Sequence, residues 1–104
     1  MKFTTDQPAS PYATETVWDG GLSATGVCGE GRELPVGHES GRWWPEHLLL
    51  LAAESSLMES FLAAARDADI EVLGYVSSGQ LEIPDEPDAA PRLTLKPCIV
   101  VGLL

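Results

Sequence analysis

Residues 43–66 read WWPEHLLLLAAESSLMESFLAAAR, and this stretch decides the fold. Pro45 fits the first turn of a helix, where its missing N–H would have no partner in any case. Glu46 beside it is favoured by the positive end of the helix dipole. The spacing predicts a helix from Pro45 to about Arg66 or Ala68, with Arg66 suited to the C-terminal end. Its first half is apolar on every side, and such a helix must be enclosed by other protein or by lipid. The uninterrupted apolar run, Leu48 to Ala53, is far shorter than the ~20 residues that span a bilayer. The stretch therefore reads as the central helix of a compact soluble domain or of a dimer core. Further along, Leu50, Leu57, Met58, Phe61 and Leu62 share one sector, and Ser55, Ser56, Glu59, Ser60 and Arg66 the other. Glu54 breaks this pattern by projecting among the leucines.

Strands are expected on both sides of this helix. Ala13 to Trp18 (ATETVW) is β-prone and runs into Asp19-Gly20-Gly21, a tight-turn signal, with Leu22 to Cys28 returning as the second strand of a hairpin. Gly29 to Arg32 makes another turn before a short strand, Glu33 to Val36. After the helix, Ile70 to Val76 and Gln80 to Ile83 suggest a long strand, broken or bulged near Ser77-Ser78-Gly79. Pro84 to Pro91 (PDEPDAAP) is an acidic loop, and Arg92 to Val101 a last strand with Pro97 at a bulge or an edge. The order is three strands, one long helix, two strands, which makes the fold class α+β. Residues 1–11, polar and with two prolines, read as a loose N-terminal arm to a single domain. The apolar end, Cys98 to Leu104 (CIVVGLL), suggests either a chain truncated at its C-terminus or a strand covered by a partner subunit.

Composition narrows the function. The chain has 104 residues, 44% hydrophobic and 21% charged, with a net charge of −10 and six lysines and arginines. That is globular composition, with room for one domain. The negative charge and scattered cations disfavour nucleic acid and anionic membrane surfaces, which both demand a positive patch. Cys28 and Cys98 form no zinc or CxxC pattern, and the N-terminus lacks the apolar core of a signal peptide. Both observations favour a reducing cytoplasm with free thiols.

Several motifs are missing. No G-x-S-x-G elbow gives Ser55 or Ser56 a nucleophile's setting. Gly29-Glu30-Gly31 leads into no Lys-Ser/Thr and no helix, so it is not a phosphate loop. His38, Glu39, Glu46 and His47 could surround a metal in principle, but their spacing matches no ligand pattern and they read as solvated loop residues. No cofactor is implied. Glu54 is read as reaching a polar partner or solvent at a subunit boundary, with a functional buried carboxylate as the alternative.

The chain resembles the OsmC/Ohr family of osmotically inducible and organic-hydroperoxide-resistance proteins. The resemblance rests on a β-hairpin start, a glycine-containing loop, Trp44-Pro45-Glu46 at a helix start, the Leu48 to Ala53 run, and Leu57-Met58 with Phe61. Residues 63–72 (AAARDADIEV), Gly74-Tyr75, Gly79 to Glu82 and Leu93 to Val101 extend it to roughly residues 12–101. It implies an intertwined homodimer with the central helices packed between curved sheets, and a small apolar ligand or hydroperoxide as partner. It also implies a site. The family's peroxidatic cysteine falls eleven residues after the proline, where this chain carries Ser56. Glu46 matches the family glutamate, the activating arginine has no counterpart around Trp18 to Leu22, and the resolving cysteine would lie beyond Leu104. The implied function is that of a relative of organic hydroperoxide reductases without thiol peroxidase activity, stress-related or ligand-binding. The alternative is a thiol peroxidase working through Cys28 or Cys98.

Overall fold

A computed structural model of the chain describes residues 12–29 and 31–103. The expected N-terminal arm, Glu30 and Leu104 lie outside them. The elements are β1 (Thr14–Gly20), β2 (Ser23–Cys28), β3 (Glu33–Val36), α1 (Pro45–Asp67), β4 (Ile70–Glu82) and β5 (Arg92–Leu103). The architecture is α+β in the expected order. The chain divides into two compact units, with the boundary between His47 and Leu48, inside α1.

The first unit is an antiparallel sheet in the order β1-β2-β3. Gly20 and Gly21 both take positive φ, 111° and 55°, which makes the tight return after β1 possible without strain. The Trp18 indole N–H donates to the Gly21 carbonyl at 3.0 Å and closes that turn. Val27, 2% exposed, is the enclosed side chain of this sheet. Past β3, Trp43 N–H donates to the Pro35 carbonyl and Gly37 N–H to the Trp43 carbonyl, each at 3.0 Å. These bonds fold the connection back on β3 and deliver the chain to the start of α1.

The second unit is a two-stranded ribbon, β4 paired antiparallel with β5, with α1 laid on one face. Tyr75, Ser77 and Gly79 stand opposite Ile99, Pro97 and Leu95, and side chains two apart on a strand share a face. A Cβ on Gly79 would lie 3.1 Å from Leu50 Cδ2, 3.2 Å from Leu95 Cδ2 and 3.3 Å from Glu54 Cδ. Further along, Phe61 and Tyr75 face each other with ring centroids 6.0 Å apart. Ala65, one helical turn beyond Phe61, is 3% exposed. Asp69, at φ 57°, then turns the chain out of the helix into β4, a conformation aspartate tolerates better than most residues.

Two sequence expectations change. The break expected at 77–79 is absent: pairing runs through Ser77, Ser78 and Gly79, and the register shift lies between Val72 and Gly74. Gly79 serves the close approach of α1 rather than a bend in the strand. Leu57 and Leu62, expected on the covered sector, are 40% and 38% exposed. A two-stranded ribbon is too narrow to cover the whole apolar stripe, so the line through Leu50, Glu54, Met58, Phe61 and Ala65 turns inward while Leu57 and Leu62 stay at its margins. The length of α1 is a separate matter. At 23 residues with mean hydropathy 1.5, α1 is long and apolar enough to cross a membrane. However, Glu54 and Glu59 stand at its middle, where a charge at the bilayer centre costs ~2.5–3.5 kcal/mol, and Glu54 is laid on the ribbon.

Gly37 carries the most demanding backbone position. Its φ is 125°, and a Cβ there would fall 1.9 Å from the Leu22 carbonyl oxygen. Gly41, at φ 82°, has nothing within 4 Å of the same position. Gly41→Ala should therefore cost only the ~1–3 kcal/mol of a strained φ, while Gly37→Ala adds a backbone collision and should cost clearly more. Urea denaturation of the two variants measures the difference, and equal losses would refute it.

Candidate functional site

The start of α1 gathers His38, Trp44, Glu46 and His47. His38 Nε2 lies 2.7 Å from Glu46 Oε1. An ionised carboxylate only accepts, so the imidazole donates through Nε2–H. The His38 ring meets Trp44 edge-on, with centroids 4.7 Å apart and planes at 77°. Trp44 donates its indole N–H to the Glu39 carbonyl at 3.3 Å and its backbone N–H to His47 Nδ1 at 3.4 Å. The second of these helps satisfy one of the orphan donors at a helix start.

Of the four residues considered for a metal, only His38 and Glu46 come together through their side chains. The Glu39 carboxylate accepts the Ser23 hydroxyl instead, and a Cβ on Gly21 would lie 3.1 Å from its Oε1. Arg42 is drawn away as well, donating to the Ala24 carbonyl at 2.7 Å. The guanidinium nearest in sequence to Glu46 is thus committed to β2.

This setting holds the Glu46 carboxyl below its ordinary value of 4.5. The hydrogen bond from His38 is the main cause, followed by a backbone N–H of its own residue; desolvation opposes them, and the charges of His38 and His47 add smaller lowering effects. His38 as the partner of Glu46 is not readable from spacing, because eight residues and a turn separate them. The only signal in the sequence is a histidine in a glycine-bounded loop ahead of a Pro-Glu helix start.

Of the other residues expected at a site, Cys28 belongs to the first unit and Glu54, Ser56 and Cys98 to the second. Ser56 is exposed on α1 within the second unit, next to exposed Ser55. Cys28 ends β2, half-buried, and Cys98 is exposed on β5, paired with Val76 across the ribbon. Glu54 lies on the covered face of the ribbon beside Gly79. On that same face, Tyr75 Oη and Ser77 Oγ are buried without a hydrogen-bond partner among the described residues. Nothing in the sequence pattern marked this polar row. Two recesses of the second unit, one lined by Ser78, Gln80, Thr94 and Lys96 and one by Ile83, Pro84 and Arg92, include none of the expected site residues.

A pH dependence follows from Glu46. Because its carboxyl is depressed in the folded chain, its stabilising effect is full above the ordinary carboxylate value and disappears as pH falls through the depressed one. Wild type should therefore exceed Glu46→Gln in denaturation midpoint at about pH 6–7, and the gap should close towards about pH 3. Urea titrations of both proteins across that range test it. A gap that persists in acid would rule out the ionised pair as its source.

Searches of protein-family models and of curated proteins return no match for this chain. Among solved structures, it is similar to an OsmC-like protein of unknown function from Vibrio cholerae, with a TM-score of 0.79. The superposition covers 90% of this chain and 77% of that one, at 14% sequence identity. At that identity the likeness concerns the backbone alone, and it gives the chain an OsmC-like α+β fold.

Proposed function

We propose that this chain is a homodimeric OsmC-like protein that lacks thiol peroxidase activity and binds a small apolar ligand, in a stress-related role in the cytoplasm. The observation that carries the reading is Ser56. In the OsmC/Ohr pattern the residue eleven places after the helix-start proline is a cysteine. Its thiolate takes one oxygen from the hydroperoxide, becomes a sulfenic acid and releases an alcohol. A serine hydroxyl stays protonated near neutral pH and has no such oxidised state to pass through. The retained Glu46 is then a remnant of the site, held by His38 rather than by an arginine. Support for cytoplasmic residence is that Cys28 and Cys98 are both free thiols, the state a reducing compartment maintains.

Homodimer formation is supported by what α1 leaves uncovered. Leu49 and Leu51 are 53% and 42% exposed, with Leu57 and Leu62 close behind. Leu51 and Leu62 flank the covered line on one side and Leu49 and Leu57 on the other, so both flanks of α1 present exposed apolar side chains of the kind that mark an interface. The second reading, a peroxidase using Cys28 or Cys98, is favoured by one fact only, the exposure of the Cys98 thiol.

Two outcomes are expected. Sedimentation of wild type should give a dimer at micromolar concentration, and Leu51→Glu should weaken it; a well-folded monomer at high micromolar concentration would end the dimer proposal. Wild type should not consume an alkyl hydroperoxide with a dithiol reductant, whereas Ser56→Cys should gain that activity. Turnover by wild type that is lost in Cys98→Ser or Cys28→Ser would put the second reading in place of the first.

A further inference from the structure

His38 makes two contacts with residues at the start of α1, and they differ in kind. Its Nε2–H donates to the Glu46 carboxylate at 2.7 Å, and its ring edge packs with Trp44 at 4.7 Å between centroids. We infer that His38 is the positioning residue of this corner, holding the Glu46 carboxylate by hydrogen bond and the Trp44 indole by ring contact. The carboxylate and the indole then share one anchor.

The neighbouring groups leave this role to His38. Arg42, the only cation other than histidine between Gly37 and Glu46, is bonded to the Ala24 carbonyl. Glu39, the acid adjacent to His38, is bonded to Ser23 and is not a competing acceptor. His47 offers Nδ1 to the Trp44 backbone N–H, which places its own proton on Nε2, and its ring stands 6.1 Å from that of Trp44, farther than the 4.7 Å of His38. The side chains of His38 and Glu46 are 41% and 39% exposed. An exposed ion pair alone holds its geometry weakly. The ring contact restricts the imidazole, and the restricted imidazole in turn makes the hydrogen bond persistent. The inference is independent of the peroxidase-related reading, since it concerns which group orients Glu46 and not what Glu46 does.

Three substitutions separate the two contacts. His38→Ala removes both, His38→Gln keeps a donor but no ring, and His38→Phe keeps a ring but no donor. The readouts are the titration of the Glu46 carboxyl by carbon NMR and the Trp44 indole N–H resonance. In His38→Ala the Glu46 value should rise towards 4.5 and the indole signal should move. His38→Gln should retain part of the depression while shifting the indole, and His38→Phe should do the reverse. An unchanged Glu46 titration in His38→Ala would overturn the inference, as would Gln and Phe variants that lose both signals alike. Should the alanine variant fail to fold, the contrast between Gln and Phe decides the matter alone.

Discussion

The close approach of α1 to the β4–β5 ribbon at Gly79 is the constraint on which the second unit depends. A two-stranded ribbon has little stability of its own in water. It becomes a folded element when a helix covers one face, and dispersion contacts fall off within an ångström of lost fit. Gly79 is the point of tightest fit, since a Cβ there would lie 3.1 Å from Leu50, 3.2 Å from Leu95 and 3.3 Å from Glu54, closer than ordinary contact. The long antiparallel register from Ile70↔Leu103 to Glu82↔Arg92 and the inward line of Leu50, Met58, Phe61 and Ala65 both follow from this seating.

The first unit solves a different problem, that of beginning a helix at a defined place. Gly37 is pressed against the Leu22 carbonyl, Trp43 returns hydrogen bonds to Pro35 and Gly37, and Arg42 reaches back to Ala24. These ties restrict the loop so that His38 and Trp44 arrive beside the first helical turn. The chemistry of the corner is therefore built on backbone geometry several residues away. Its charged members, Glu39, Arg42 and Glu46, each have a different partner, and this keeps the cluster from collapsing into a single ion pair.

Much of this was legible in the sequence, and for local reasons. Pro45, Glu46 and Arg66 mark helix ends through dipole and N–H arguments that need no tertiary information, and α1 indeed runs Pro45–Asp67. The hairpin at Gly20-Gly21 and the β5 start at Arg92 were equally local. What was not legible depended on distant contacts. The use of Gly79 as a contact point, where a bend was expected, involves Leu50 and Glu54, residues 29 and 25 positions earlier in the chain. The exposure of Leu57 and Leu62 reflects the width of the ribbon, which helical periodicity does not contain. The His38–Glu46 pair depends on the path of a loop whose sharpest turn is fixed by Leu22.

The polar row inside the apolar seam has a mechanical consequence. Glu54, Tyr75 and Ser77 lie on the helix–ribbon contact, and Glu54 has its place beside the one position of that face with no side chain. Sliding α1 by a single turn, ~5.4 Å, would carry the carboxylate out of the glycine notch and press it against larger side chains, Leu81 on one side and Ser77 and Tyr75 on the other. A uniformly apolar helix of leucine and alanine could settle on a ribbon at several offsets of similar energy. Here one acidic side chain makes the neighbouring offsets costly, so it acts as an index mark along the helix. The seam gives up some apolar contact and gains a unique alignment.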